Sequence, residues 1–293
     1  MHEFLLTLGF GIVSASILSL SAVAFTLEYA VTDVANLAHG EILTVGAYAA
    51  YVVHQATGNT WLSAIVAAAA GSVLALAMQT LVIDRFVRKR AGGMTAFIAT
   101  LGVSFLIQNV LVIIFGAANV AYTIPQSAPM QIGPFLWTST EVGIILSALV
   151  ITGVLYVTIT YSKFGKALRA VFQNRELARV TGINSRFVAA ATWALAGAVA
   201  GYAGFILAIS VGTFTPYFGF SFFLITLTAT VAGGLGKPFS TMAGAVIVGL
   251  ALVYTGGYIS ASYNLAFAFA ILAIVVLVRP RGLFTKPGRS MFE

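Results

Sequence analysis

The stretch FVAAATWALAGAVAGYAGFILAISVGTFTPYFGFSFFLITLTATVAGGLG, residues 187–236, contains no charged side chain. A helix that crosses the hydrocarbon core of a lipid bilayer needs about 20 predominantly apolar residues. Residues 187–236 are therefore long enough for two crossings. The stretch predicts a pair of membrane-spanning helices, and similar stretches make up most of the chain.

The composition of the 293 residues excludes an ordinary soluble protein. Hydrophobic residues make up 60% of the chain and charged residues only 8%, whereas about 25% of the residues in a soluble domain are charged. So high an apolar content also excludes an intrinsically disordered chain. The chain contains no cysteine, which excludes a disulfide framework, a thiolate metal site and a cysteine nucleophile.

Further charge-free stretches predict the number of crossings. We expect an all-α polytopic membrane protein with about 8–10 transmembrane helices, including broken or re-entrant segments. The chain is expected to form a single transmembrane domain, residues 1–293. The nine candidate spans are residues 4–27, 40–56, 61–83, 93–115, 141–161, 187–210, 217–235, 239–255 and 263–278.

Three of these spans, 40–56, 239–255 and 263–278, are short for a full crossing. They are expected to be broken, re-entrant or tilted helices. Residues 40–56 have the alternative of an interfacial segment, which would leave eight spans.

The basic residues predict the orientation of the chain. They fall at residues 85–90, 163–186, 237 and 279–289, and two candidate spans separate each group from the next. The positive-inside rule places every group in the cytoplasm. The C-terminus is then cytoplasmic, and the N-terminus is outside with nine spans or inside with eight or ten. Since orientation accounts for the net charge of +7, no nucleic acid is expected as a partner.

A polar cluster near the first predicted turn is the best candidate for a functional site. Glu28, Asp33, Asn36, His39 and Glu41 lie within 14 residues of an otherwise apolar region, and ionisable groups in membrane segments are functional candidates. One interpretation is a break between half-helices that lines a transport pathway. The other is an interfacial loop with solvated charges, in which Asp33 or Asn36 caps the following helix.

Two neighbouring amides, Gln108 and Asn109, lie in the middle of span 93–115. They either face a polar cavity or form hydrogen bonds between helices. Gly197, Gly201 and Gly204 fall on one face of another span, and this spacing predicts a close approach of helices there.

Catalytic and metal-binding patterns are missing from the sequence. Histidine occurs only at positions 2, 39 and 54, so neither a Ser–His–Asp triad nor a metal site can be assembled with any specificity. The run GGLGKP at residues 233–238 fails the Walker pattern, since Val231 and Pro238 stand where Gly and Ser or Thr are needed. An enzyme is not expected.

The basic loop 163–186 predicts two short helices. Leu168, Val171 and Phe172 have helical spacing, and Asn174 is placed to cap a second helix, residues 175–181, that Gly182 ends. This capped pair is either a docking element or a basic helix that lies on anionic lipid.

Six short blocks carry a resemblance to a known family. They are NLAHGE at 36–41, IATLG at 98–102, GKALRA at 165–170, NRELARVTGI at 174–183, GGLG at 233–236 and RPRGLF at 279–284. Together and in this order, they resemble the permease subunits of branched-chain amino-acid ABC importers, the LivH/LivM-type family. The resemblance covers nearly the whole chain.

The resemblance implies a machine of several subunits in a bacterial or archaeal plasma membrane. A second permease, two ATPase subunits and an extracytoplasmic solute-binding protein would be the partners, besides the lipid bilayer. No cofactor is expected in this chain, because ATP and magnesium would bind to the ATPases. The residues expected to couple the permease to the ATPases are Lys166, Arg169, Asn174, Arg175, Glu176, Arg179 and Gly182.

The expected substrates are branched-chain or related amino acids, or small amides and urea. The expected pathway residues are Asn36, His39, Glu41, Gln108 and Asn109. The alternative function is an ATP-independent secondary transporter or channel for a small polar solute.

Overall fold

The computed structural model describes residues 2–88, 93–122, 128–279 and 282–284. The described residues form twelve α-helices and four short strands. The helices are α1 His2–Thr32, α2 His39–Thr57, α3 Thr60–Met78, α4 Asp84–Arg88, α5 Gly93–Phe115, α6 Ser139–Tyr161, α7 Lys163–Gln173, α8 Arg175–Val180, α9 Ser185–Val211, α10 Phe218–Gly233, α11 Pro238–Thr255 and α12 Asn264–Val278. The strands are β1 Val120–Ala121, β2 Met130–Ile132, β3 Phe135–Trp137 and β4 Thr213–Phe214.

The predicted class, an all-α polytopic membrane protein, is confirmed. A helix lies at each of the nine candidate spans, and the observed bounds of α5 equal the predicted ones. Within the described ranges, six helices are long and apolar enough to cross a membrane, and α10 and α12 are shorter apolar helices.

Two predicted lengths are wrong. Span 217–235 is only a 16-residue helix, α10, because Tyr217 lies in the turn before it and Gly234, with φ +117°, ends it. Span 239–255 was expected to be short, but α11 and the π-helical turn Gly256–Ser260 that follows it together form a continuous apolar span of 23 residues.

The two ends of the helical bundle differ in character. One end carries α4, α7 and α8, and we call it the basic end. The other end, the strand end, carries the antiparallel pairs β1–β4 and β2–β3. The first turns of α1 reach the strand end, where Gly9 lies against Phe135 and Trp137. The N-terminus therefore lies opposite the basic end, as the nine-span alternative requires.

The centre of the bundle is formed by α1 and α9, which are the most buried of the long helices. Close approach depends on the glycines of α9, as predicted. Gly197 and Gly201 lie against the backbone of α3 at Gly71, and Gly204 lies against the carbonyl group of Leu43 in α2. A Cβ atom at any of these α9 positions would overlap the facing helix, so small residues set the distance between these helices.

Two of the sequence blocks meet at the end of α10. Gly282, from the RPRGLF block, packs on the backbone of Gly234 in the GGLG block. The N–H group of Leu283 donates to the carbonyl oxygen of Ala232 at 2.8 Å. The end of α12 is thereby fixed to the α10–α11 turn.

Candidate functional site

A break between α1 and α2 forms the centre of the candidate site. Asp33, the only described non-glycine residue with a positive φ (55°), turns the chain out of α1. The predicted helix caps are wrong, because α2 begins after Ala38 with no side-chain cap. Asn36 instead accepts a hydrogen bond from the N–H group of Ala38 at 3.0 Å, so its side chain holds the turn that precedes the helix.

Glu28, Asn36 and His39 form a buried polar network at this break. All three side chains are fully buried, which excludes a loop of solvated charges; of the five polar residues, only Asp33 is exposed. One carboxylate oxygen of Glu28 lies 3.0 Å from His39 Nδ1. The other accepts a hydrogen bond from Asn36 Nδ2 at 2.9 Å. The network joins the last turns of α1 to the first turn of α2.

The far side of the His39 ring faces hydroxyl groups. Its Nε2 atom lies 3.5 Å from Ser21 Oγ, and Ser21 Oγ lies 3.0 Å from Thr226 Oγ1 of α10. The rings of Phe25 and Phe223 pack against the imidazole. An acid–histidine–hydroxyl order resembles a hydrolase triad, but every member is fully buried and no substrate carbonyl could reach it.

Glu41 forms a second polar cluster, between α2 and α5. Its Oε1 atom accepts hydrogen bonds from Ser104 Oγ at 2.9 Å and from Gln108 Nε2 at 2.7 Å. One turn below, Thr100 Oγ1 accepts a hydrogen bond from the N–H group of Leu37 at 3.1 Å. Sequence reasoning missed Thr100 and Ser104, although steps of four residues, from Thr100 to Ser104 and from Ser104 to Gln108, place all three on one helix face.

The two predicted amides of α5 have different surroundings. Gln108 is buried and forms the predicted hydrogen bond between helices. Asn109 is exposed and donates to the carbonyl oxygen of Phe105 in its own helix at 2.7 Å. Since neighbouring helix residues point about 100° apart, the structure brings only Gln108 to the cluster.

The basic loop folds into α7 and α8, as predicted. Asn174 Oδ1 accepts a hydrogen bond from the N–H group of Leu177 at 2.9 Å and caps α8. Gly182, with φ +87°, ends it in a Schellman motif, in which the N–H group of Ile183 donates to the carbonyl oxygen of Ala178 at 3.0 Å. The caps give α8 two fixed ends.

The expected coupling residues lie in different environments. Lys166, Glu176 and Arg179 are exposed. Arg169 donates to the carbonyl oxygens of Ile159 at 2.7 Å and Thr160 at 3.1 Å, so it satisfies the end of α6.

Arg175 lines an open cavity of about 920 Å³ between α4 and α8. Burial lowers the pKa of its guanidinium group, while the Asp84 carboxylate opposes that shift and Arg179 and Arg186 add to it. Three arginines, Arg175, Arg179 and Arg186, thus line this cavity together with the acids Asp84 and Glu176.

Two apolar side chains project from α8. Leu177 is 60% exposed and Val180 is 85% exposed. Their spacing of three residues puts them on one helix face. Sequence reasoning attended to the charges of this loop and missed this pair.

Residues 7–276 match the family described as "Branched-chain amino acid transport system / permease component". The chain belongs to this family. The match covers α1 through nearly all of α12, so the break, the Glu41 cluster and the α7–α8 pair are parts of a permease.

Similar proteins carry related names. The chain is 28% identical over 94% of both chains to the high-affinity branched-chain amino acid transport system permease protein LivH of Escherichia coli K12. It is 27% identical to the corresponding protein BraD of Pseudomonas aeruginosa, over 98% of this chain and 97% of BraD. A shorter match, 26% identity over 55% of this chain and 52% of the relative, links it to the galactose/methyl galactoside import permease protein MglC of Salmonella typhimurium.

As a permease, the chain is a transport component and not an enzyme. The described residues contain no group of three His, Cys, Asp or Glu side chains that could hold a metal ion. The buried acid–histidine–hydroxyl network therefore calls for a packing or gating explanation.

Proposed function

We propose that this chain is the membrane-spanning subunit of an ABC importer that moves branched-chain or related amino acids, or small amides and urea, into the cell. Separate ATPase subunits would drive the transport. Amino-acid substrates are supported by the matches to LivH and BraD, which extend over nearly the whole chain. The match to the sugar permease MglC covers only about half.

The observation that carries the ATPase partnership is the α7–α8 pair. It has a capped short helix, exposed Leu177 and Val180, and a basic cavity beside them. A rigid helix with an apolar tip suits insertion into a groove of another protein, and it transmits rigid-body motion. Under the positive-inside rule this end is cytoplasmic, where ATP is available to two ATPase subunits.

The remaining partners belong to the same proposal. A second permease, either a copy or a paralogue, would complete the pathway, and a solute-binding protein would deliver substrate at the strand end. The path would run beside Asn36, His39, Glu41 and Gln108. The burial of these polar side chains supports this placement, because polar groups are expensive in a membrane segment and are therefore functional candidates.

Reconstitution of the complete transporter in proteoliposomes tests the proposal. We expect uptake of radiolabelled L-leucine to require ATP on the side of the basic end and the binding protein on the other. Uptake by the purified chain alone, without ATP, would instead identify a secondary transporter or channel.

A further inference from the structure

The helices α2 and α5 run parallel, and α5 meets α2 and the turn before it at three successive levels, which we call the α2–α5 seam. At the first level, the N–H group of Leu37 donates to Thr100. At the second, Glu41 accepts from Ser104 and Gln108. At the third, the rings of Tyr48 and Phe115 lie 4.5 Å apart between centroids. The seam is thus polar near the basic end and aromatic near the strand end.

Two polar atoms on this seam lack partners. Glu41 Oε2 and the Tyr48 hydroxyl group are buried and have no hydrogen-bond partner among the described residues. Glu41 is 0% exposed and Tyr48 is 1% exposed. Each buried polar group without a partner costs free energy, and such groups are rare enough to need an explanation. Of the seven such atoms among the described residues, these two lie on one seam, where a single polar solute could satisfy both.

The two residues also share a helix face. They are seven positions apart on α2, which corresponds to two turns and about 10 Å along the axis. Ser104 and Phe115 line the opposite wall from α5. A molecule between the helices would therefore meet a carboxylate, a phenol and two aromatic rings.

The seam lies at the edge of the bundle and not at its centre. The outer face of α5 exposes large apolar side chains along its whole length: Met94, Ile98, Phe105, Leu106, Val110, Ile113 and Ile114. An outward movement of α5 would open the seam without separating the tightly packed helices α1, α2, α3 and α9.

We propose that the α2–α5 seam is a binding site for the transported amino acid, in which Glu41 binds its ammonium group. The Tyr48 hydroxyl group donates to the solute carboxylate, and the rings of Tyr48 and Phe115 pack against the apolar side chain. This inference rests on the proposed function and specifies where the solute binds. Oε1 of Glu41 is already occupied by two neutral donors, which leaves Oε2 for a charged donor.

The absence of cysteine from the chain permits a direct test. In the complete, reconstituted complex, Ser104→Cys places one thiol on the seam. Labelling of this chain by N-ethylmaleimide is followed during ATP turnover, without the binding protein, so that protection reports binding to the permease itself. We expect L-leucine to slow the labelling, and 4-methylpentanoate, which lacks the ammonium group, to leave it unchanged.

Thr192→Cys is the matched control. Thr192 is a fully buried hydroxyl residue of α9 whose Oγ1 donates to the carbonyl oxygen of Val188 in its own helix at 2.7 Å. Leucine should not alter its labelling rate.

Glu41→Gln tests the ammonium contact in the Ser104→Cys background. Loss of one charge-assisted hydrogen bond should raise the leucine concentration needed for protection by about tenfold or more. Tyr48→Phe removes only a hydroxyl group and should raise the leucine concentration needed for protection several-fold. This variant provides the test if Glu41→Gln fails to co-purify with its partners.

Three results would overturn the inference: a Ser104→Cys thiol that never reacts, a labelling rate that leucine leaves unchanged, or full protection in both variants. ATP-dependent uptake by the unmodified complex is measured in parallel. Failure of that uptake would refute the proposed function, whereas normal uptake without protection would refute only the seam site.

Discussion

At the scale of single residues, the buried pair formed by Glu28 and His39 links the two sides of the α1–α2 break. Both side chains are 0% exposed and their atoms are 3.0 Å apart. A buried ionisable group is tolerated only while its partner remains, because the desolvation cost of either group alone is not repaid. The pair therefore stabilises the α1–α2 break only as a unit.

We expect His39→Ala to lower the stability of the complex strongly. Removal of one partner from a buried pair costs about 3–5 kcal/mol, because the Glu28 carboxyl group would remain buried. The measurement is the thermal unfolding midpoint in detergent. The double variant Glu28→Leu/His39→Leu should recover part of the loss, since apolar residues replace buried pairs at little cost. A double variant less stable than His39→Ala would contradict the conclusion that Glu28 and His39 stabilise the break only as a pair.

At the scale of helices, close contacts between backbones fix the position of α9. Gly201 meets Ala67 and Gly71 of α3, as well as Gly46 of α2. The facing atoms are backbone atoms, which cannot turn aside. Added volume at this position must therefore move a whole helix.

Gly201→Val is expected to destabilise the protein by at least about 1–3 kcal/mol, the usual cost of overpacking. Gly102→Ala on the exposed face of α5 is the control, because a Cβ atom there has no neighbour within 4 Å; it should be neutral or stabilising. The measurements are the purified yield and the thermal unfolding midpoint of each variant. Equal effects would show that the α9 contacts do not limit packing.

Two arginines of the α7–α8 pair allow coupling to the ATPases to be tested separately from stability. Arg179 is exposed on α8, whereas Arg169 holds the carbonyl groups at the end of α6. We expect Arg179→Glu to abolish solute-stimulated ATPase activity with an unchanged unfolding midpoint. Arg169→Ala should lower the midpoint instead. The proposed docking role fails if Arg179→Glu leaves ATPase stimulation intact.

At the scale of the whole molecule, the basic and strand ends define an orientation that labelling can test. In the cysteine-free chain, Gln131→Cys on β2 and Arg186→Cys in the first turn of α9 each introduce one exposed thiol. The positive-inside rule predicts that a membrane-impermeant maleimide labels only Gln131→Cys in spheroplasts. Labelling of Arg186→Cys before lysis would show that the basic end faces outward and would contradict the predicted orientation.

Structural features that depend on residues close together in the chain could be predicted from the sequence. Hydropathy located all nine helical segments, and the Asn174 and Gly182 caps of α8 were predictable because each acts within a few positions. In contrast, the hydrogen bonds of Glu41 join it to residues 63 and 67 positions away. Ser and Thr are common in membrane helices, so their presence alone does not indicate such a partner. The spacing of Thr100, Ser104 and Gln108 marks one face of α5, but it does not say which helix that face meets, so the α2–α5 seam required the fold. The pairing of β4 with β1 likewise joins residues that are far apart in the chain.

That pairing fastens α5 to the central helix α9. Val120 pairs with Phe214, and the N–H group of Tyr122 donates to the carbonyl oxygen of Gly212 at 3.2 Å. A swing of α5 would therefore pivot at the strand end, where the Tyr48–Phe115 contact would act as a stop behind the solute. The gap would be widest near Thr100, so the solute would leave the seam toward the basic end. The strand pair would thus limit how far the seam opens at the strand end, whereas ATP hydrolysis in the proposed partner subunits would drive transport inward.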